Sequence, residues 1–217
     1  MHKPNNLLEL DAQDALDWDP QIDDSRIVVS AKDGRVTLTG SVPTLYQSMR
    51  AADDVQTVGG VTGLDNQLLV GRVGAAMNDG DMAVAAAAAL DDDKFVPKGA
   101  VTADVVDGFV MLHGEVRHHY QRQAAEHAVS KVDGVRGVTD NVTLTTEPIP
   151  SDVADRIDKA FQRSAIIDDS LITVSNDGPT IYLDGKVGSW NAKQEAEDTA
   201  WDAPGVNNVI DRLEIVT

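Results

Sequence analysis

His113, His118, His119 and His127 fall within fifteen residues of one another. Imidazoles at that density are the ligand type that transition metals favour. Residues 118 and 119 open a helix, however, and neighbours on a helix point about 100° apart. The four histidines therefore read as solvated surface groups. The run Asp91-Asp92-Asp93 could attract calcium, but it lacks the glycine and the downstream glutamate of a calcium loop, so it reads as a charged helix end. No phosphate-binding, dinucleotide-binding, zinc-protease or nucleophile-elbow signature occurs. There is no cysteine, hence no thiolate chemistry and no disulfide. Paired carboxylates are abundant but carry little information in so acidic a chain. No catalytic residue, metal ligand set or cofactor site is expected. The remaining candidates are aromatic. Tyr46, Tyr120 and Trp190 stand at or near the start of successive helices, where an exposed ring suits a protein partner or a lipid interface. The alternative is that they cap the local core.

The elements that carry these residues must form within 217 residues, 42% of them hydrophobic but only 4% aromatic. Cores are therefore built from Val, Leu, Ile and Ala. The formal charge is −18. It is spread evenly, at −5, −6 and −7 over residues 1–74, 75–147 and 148–217. A surface this acidic repels phosphate backbones, which makes nucleic acid an unsuitable partner, and repels anionic headgroups in bulk. No apolar run reaches the length of a membrane span. The opening stretch MHKPNNLLELDAQDALDWDP has no apolar signal region, because acids interrupt it from Glu9 onward. A cytoplasmic location is expected if these residues are native, and a periplasmic one if a signal sequence has been removed.

VTLTGSV, VMLHGEV and IYLDGKV recur at residues 36–42, 110–116 and 181–187. Anchored on Gly40, Gly114 and Gly185, residues 15–64, 89–138 and 160–209 align without a gap, and the first two copies share 18 identities. Each copy reads as five elements. A helix is expected over residues 5–17, 79–91 and 151–163, entered through Asp79 or Asp81 in the second copy and Ser151 in the third. A hairpin follows, turning at Asp33-Gly34 and at its equivalents. A second helix over residues 44–58, 118–132 and 189–203 places Ala51, Ala125 and Ala196 against the sheet. It stops at Gly60, Gly134 and Gly205. A last strand completes the unit, parallel to the second strand through a right-handed crossover. The glycine of the repeated stretch is expected where the second strand ends, where a side chain would meet the packed helix or forbid the needed φ. The fold class is α+β: three αββαβ units, each a small three-stranded mixed sheet with two helices on one face. The units occupy residues 1–74, 75–147 and 148–217, joined by GRVGAAMNDG and TTEPIPS.

The pattern DG-x-V-x-L-x-G-x-V, followed by Ala, Val and Val-x-Gly-Val, resembles the BON domain of bacterial osmotic-stress and transport-associated proteins. Gly40, Val42, Ala51, Val58, Gly60 and Val61 carry it, as do Gly114, Val116, Ala125, Val132, Gly134 and Val135. The third copy keeps Gly185, Val187, Ala196, Gly205 and Val206 but departs at Ala203 and Pro204. The resemblance implies a non-enzymatic, stress-linked binding or scaffold role, toward membrane phospholipid or a protein partner, with no catalytic residues to carry over. A cytoplasmic ligand or cation sensor is the alternative, suggested by the acidic turns. Oligomeric state has no signature in the sequence.

Overall fold

The computed structural model describes residues 3–71, 77–145, 148–164, 166–167 and 171–216. The first unit runs α1 (Asn5–Trp18), β1 (Ile27–Lys32), β2 (Arg35–Val42), α2 (Leu45–Gln56) and β3 (Gly63–Val70). The second repeats it with α3 (Asp79–Asp92), β4 (Val101–Val106), β5 (Phe109–Val116), α4 (His119–Ser130) and β6 (Gly137–Leu144). The third has α5 (Val153–Phe161), β7 (Ile172–Asp177), β8 (Thr180–Val187), α6 (Trp190–Trp201) and β9 (Asn208–Ile215). In each sheet the middle strand pairs antiparallel with the strand before it and parallel with the strand after the helix. This is the mixed three-stranded sheet that the sequence pattern demands.

Alternation along the central strands aims one face at the helices. Val36, Leu38 and Val42 are buried, as are Val110, Leu112 and Val116 and Ile181, Leu183 and Val187. The helices answer with small residues. Ala51, Ala125 and Ala196 are each 0% exposed, so the second helix lies close on the strands. Truncating a fully buried leucine such as Leu112 to alanine costs about 2–5 kcal/mol.

Two local expectations need correction. The repeated glycine lies two residues inside the central strand, not at its end. A Cβ on Gly40, Gly114 or Gly185 would stand 1.9, 2.0 or 2.1 Å from the carbonyl oxygen of Arg26, Ala100 or Leu171. The obstacle is thus the chain entering the antiparallel neighbour, and not the helix. The other expected reason holds, since each of these glycines has a positive φ. The second correction concerns helix ends. The second helices stop at Gln56, Ser130 and Trp201, four residues before Gly60, Gly134 and Gly205. Those glycines, again at positive φ, shape the following turn instead.

Helix entry also differs in detail. Asn78 caps α3 by accepting from the Asp81 amide at 2.9 Å. Asp152, not Ser151, precedes α5, without a side-chain cap. Asp79 is free to do something else: its carboxylate accepts from the amides of Asp107 and Gly108 in the hairpin turn. Asn5 does the same for Asp33 in the first repeat. The first helix therefore holds the turn whose Asp-Gly residues adopt positive φ. In the third hairpin Gly178 takes that conformation and Pro179 follows it.

Repeats 1 and 2 (residues 3–144) form one compact unit, and the third repeat forms another. Residues 72–76 of the first linker, and 146–147 of the second, lie outside the described residues, as do Asp168 to Ser170 of the IDDS stretch. Leu45 at the start of α2 packs against the core of repeat 2. The third repeat has its own core, centred on Phe161, Ile157, Ile181 and Leu183.

Candidate functional site

Three polar arrangements recur or fail to recur between the repeats, and they locate where each surface is specialised. The first is structural. Asn66, Asp140 and Asp211 occupy one column of the last strand, and each accepts from the amide two residues on. Their other partners occupy one column of the second helix. Asn66 donates to the Ser48 hydroxyl and carbonyl, Asp140 faces Arg122 at 3.3 Å, and Asp211 faces Lys193 at 2.8 Å. The helix is thus tied to the last strand by a neutral pair in repeat 1 and by ion pairs in repeats 2 and 3.

The second arrangement is a groove between the end of the first helix and the second helix. In repeat 1 it encloses about 610 Å³ and is lined by Asp11, Asp14, Trp18, Asp19, Arg50 and Asp54, among others. Asp19 is only 9% exposed. Its carboxylate accepts from the Gln21 amide at 2.8 Å and from Arg50 Nε at 2.6 Å, and these bonds hold its pKa below the usual carboxylate value. Asp54 behaves oppositely. Burial is the main cause that pushes its pKa up to about 6, although Arg50 at 3.8 Å pulls it down. As a carboxylate its buried Oδ2 has no partner among the described residues. Trp18, 88% exposed, forms the outer lip. The corresponding groove of repeat 2 encloses about 330 Å³, lined by Ala89, Asp92, Asp93, Ala128, Lys131 and Val132. There the Arg50 and Asp54 columns hold Ala124 and Ala128.

The third arrangement involves the aromatic candidates, which meet three different fates. Tyr46 donates its hydroxyl to Gln21 at 2.8 Å. Its ring meets His127 of repeat 2 edge-on, with centroids 6.0 Å apart, and Lys131 Nζ sits 4.7 Å above it. Tyr46 is therefore occupied within the chain, at the joint between repeats 1 and 2. Tyr120 is 49% exposed, edge-on to Phe95 and stacked on His118. Trp190 is partly buried at the first position of α6, and its indole nitrogen has no partner among the described residues.

The histidines diverge as the helical geometry implies. His113 lies on the open sheet face 3.7 Å from Asp104, and His118 stacks on Tyr120. His119 Nδ1 lies 2.9 Å from Arg122, and His127 faces Tyr46. Burial, and then the Arg122 charge, lower the His119 pKa to about 4, so the ring is neutral and accepts from the guanidinium. Among the described residues no three His, Asp or Glu side chains gather as a metal-binding group. None of the described helices is long and apolar enough to cross a membrane.

Neither the Asp19–Arg50–Asp54 cluster nor the ties was read from sequence. The cluster joins residues 31 positions apart and exists in one repeat only. The ties left a signal: opposite charges at matched columns, Arg122 with Asp140 and Lys193 with Asp211.

The chain is thus a tandem array of three αββαβ modules whose surfaces differ from copy to copy. The BON domain model matches residues 5–72, 78–146 and 151–217, and the chain belongs to the BON domain family. Two solved structures of CdsD, a structural protein of the type III secretion system of Chlamydia trachomatis, are similar at 12% identity. One match covers 97% of this chain and 92% of the other with a TM-score of 0.27. The second, of the CdsD C-terminal domain, covers 97% and 98% with a TM-score of 0.26.

Proposed function

We propose that this chain is a non-enzymatic scaffold that binds a protein partner through repeat 2, in a setting of envelope or osmotic stress. The observation that carries the reading is the contrast between Tyr46 and Tyr120. The same column is closed by an intramolecular joint in repeat 1 and left as an exposed aromatic cluster in repeat 2. Clustered exposed rings are the residues that dominate the energetics of protein interfaces. Association with phospholipid is the finer variant of this reading, and the −18 charge favours neutral over anionic lipid for it. A photocrosslinking residue in place of Tyr120, in the full chain expressed in cells, tests the proposal. Discrete protein adducts at position 120, absent when the probe replaces Thr102 on the open sheet face, support it. Identical adduct patterns at both positions refute it.

A second reading has its own support. The acidic groove of repeat 1, with Trp18 at its lip, suits a cationic ligand, which makes a cytoplasmic sensor the alternative. Cation titration followed through the Trp18 indole resonance separates the two.

A further inference from the structure

Six aspartates in the chain are followed by glycine: Asp33, Asp79, Asp107, Asp133, Asp177 and Asp184. Such a pair has a reactivity of its own. The glycine nitrogen can attack the side-chain carboxyl before it, because no Cβ shields that nitrogen or restricts the dihedrals. Whether it does so depends on how firmly the fold holds both groups.

The six pairs are held very differently. Asp184-Gly185 lies inside β8, with Gly185 paired to Ile172 on one side and Leu213 on the other. Asp79-Gly80 lies in the first turn of α3, and the Asp79 carboxylate is engaged by two hairpin amides. At Asp33-Gly34 and Asp107-Gly108 the glycine is buried, and the Gly108 nitrogen also donates to Asp79 at 3.0 Å. Gly134, after Asp133, is half-buried, and a Cβ there would stand 2.8 Å from Met82 Cε. Asp177-Gly178 alone among the six has both residues exposed. A Cβ on Gly178 would meet nothing within 4 Å, and the Gly178 nitrogen has no partner among the described residues.

The sequence accounts for the open turn. Asn5 and Asp79 hold the hairpin turns of repeats 1 and 2, and their column contains Pro150 in repeat 3. Proline has no side-chain acceptor. The ties that remain grip carbonyl oxygens. Asn176 Nδ2 donates to that of Gly178, and the Asn207 and Asn208 amides donate to that of Pro179. None of them restrains the Gly178 nitrogen.

We propose that Asp177 is a site of spontaneous isoaspartate formation, the point at which this chain ages first. The Gly178 nitrogen bonds to Cγ of the protonated Asp177 carboxyl, whose hydroxyl leaves with the amide proton as water. The product is a succinimide ring. Water then opens the ring. Opening at Cγ restores aspartate, and opening at the main-chain carbonyl leaves the chain running through the side chain, with no net change in composition. The isoaspartyl link adds a methylene to the main chain at the last paired residue of β7. The short loop between Asp177 and Thr180 then no longer fits the strand register. The damage falls on repeat 3, which has its own core.

The test incubates the full chain, folded or in denaturant, in mildly acidic heavy-oxygen water. Isoaspartate is mapped by peptide chromatography and by methyl transfer from an isoaspartate methyltransferase. In the folded chain it should form at Asp177 roughly tenfold or more faster than at Asp107 or Asp133, and should carry heavy oxygen. In denaturant the rates at these pairs should converge, and Gly178→Ala should suppress the product at Asp177 in both states. No isoaspartate at Asp177 in the folded chain, or equal folded-state rates at the three pairs, overturns the proposal. So does a product that lacks heavy oxygen or that Gly178→Ala leaves unchanged.

Discussion

At the end of its first helix and along its second, repeat 1 carries Asp19, Arg50 and Asp54; in the same columns repeat 2 carries Asp93, Ala124 and Ala128. The backbone is shared, and so is the place of the groove. Only the side chains decide whether the second helix brings an arginine and a carboxylate to it or two alanines. The same division runs through the tie between helix and last strand, neutral in repeat 1 and ionic in repeat 2. The fold thus rests on backbone approach and apolar alternation, and leaves surface and boundary chemistry to diverge.

The sharpest break comes from the shared part. Gly114→Val should destabilise repeat 2 by about 3 kcal/mol or more, because a Cβ overlaps the Ala100 carbonyl and the positive φ disfavours a β-branched residue. Thermal melts decide this, and a parental melt would show that the strand can shift to admit the side chain. Transferring the acid to the other repeat is next in size. Ala128→Asp buries a carboxylate at a position 6% exposed, where Ala124 offers no arginine to face it. A loss of about 2–3 kcal/mol is expected from denaturant titration near neutral pH.

The pH response separates the repeats further. Asp54 has a folded pKa raised to about 6 from 3.8, so the folded state holds the proton more tightly. Its contribution is present in acid and lost as pH rises through about 6. Asp54→Asn should therefore gain about 1–2 kcal/mol at pH near 7.5 and almost nothing near pH 4. His119 has the opposite sign. Its folded pKa is lowered to about 4 from 6.5, so stability is present at neutral pH and lost as pH falls from 6.5 toward 4. His119→Gln should flatten that acid limb by about 1 kcal/mol. Melting temperatures across the pH range for the two variants should move in opposite senses, and parallel profiles would show that Asp54 and His119 do not titrate as described. The smallest effect is expected at the joint. Tyr46→Ala should cost about 0.5–1 kcal/mol and appear mainly as faster proteolysis between repeats 1 and 2.

Much of the fold was legible because it is written in positions that cannot vary freely. The glycine column, the Asp-Gly turns and the valine and leucine alternation gave the elements and their order. For Gly40 the sequence points to the packed helix or to φ; the φ is positive, but the steric obstacle is the Arg26 carbonyl, a backbone atom with no trace in residue type. Gly60 reads as a helix stop but serves the turn four residues beyond the helix end, since positive φ alone does not say which turn needs it. The Asp19–Arg50–Asp54 cluster was invisible because no second copy repeats it. The separate fates of Tyr46 and Tyr120 depend on how repeat 1 meets repeat 2, and identical letters in one column conceal that.

The ties between helix and last strand bear on how the chain finds its own partners while folding. In repeats 1 and 2 the last strand docks in the same register over eight residue pairs, Arg35 opposite Gly63 and Phe109 opposite Gly137. Tandem copies of such similarity are prone to trading strands during assembly. A trade here would set the Asp140 carboxylate beside the Ser48 hydroxyl and leave Arg122 facing the Asn66 amide. Each hybrid would enclose one charge without its counterion, at a partly buried position where water compensates poorly. The polar pairs therefore act as matched keys, by which each strand returns to the helix made for it.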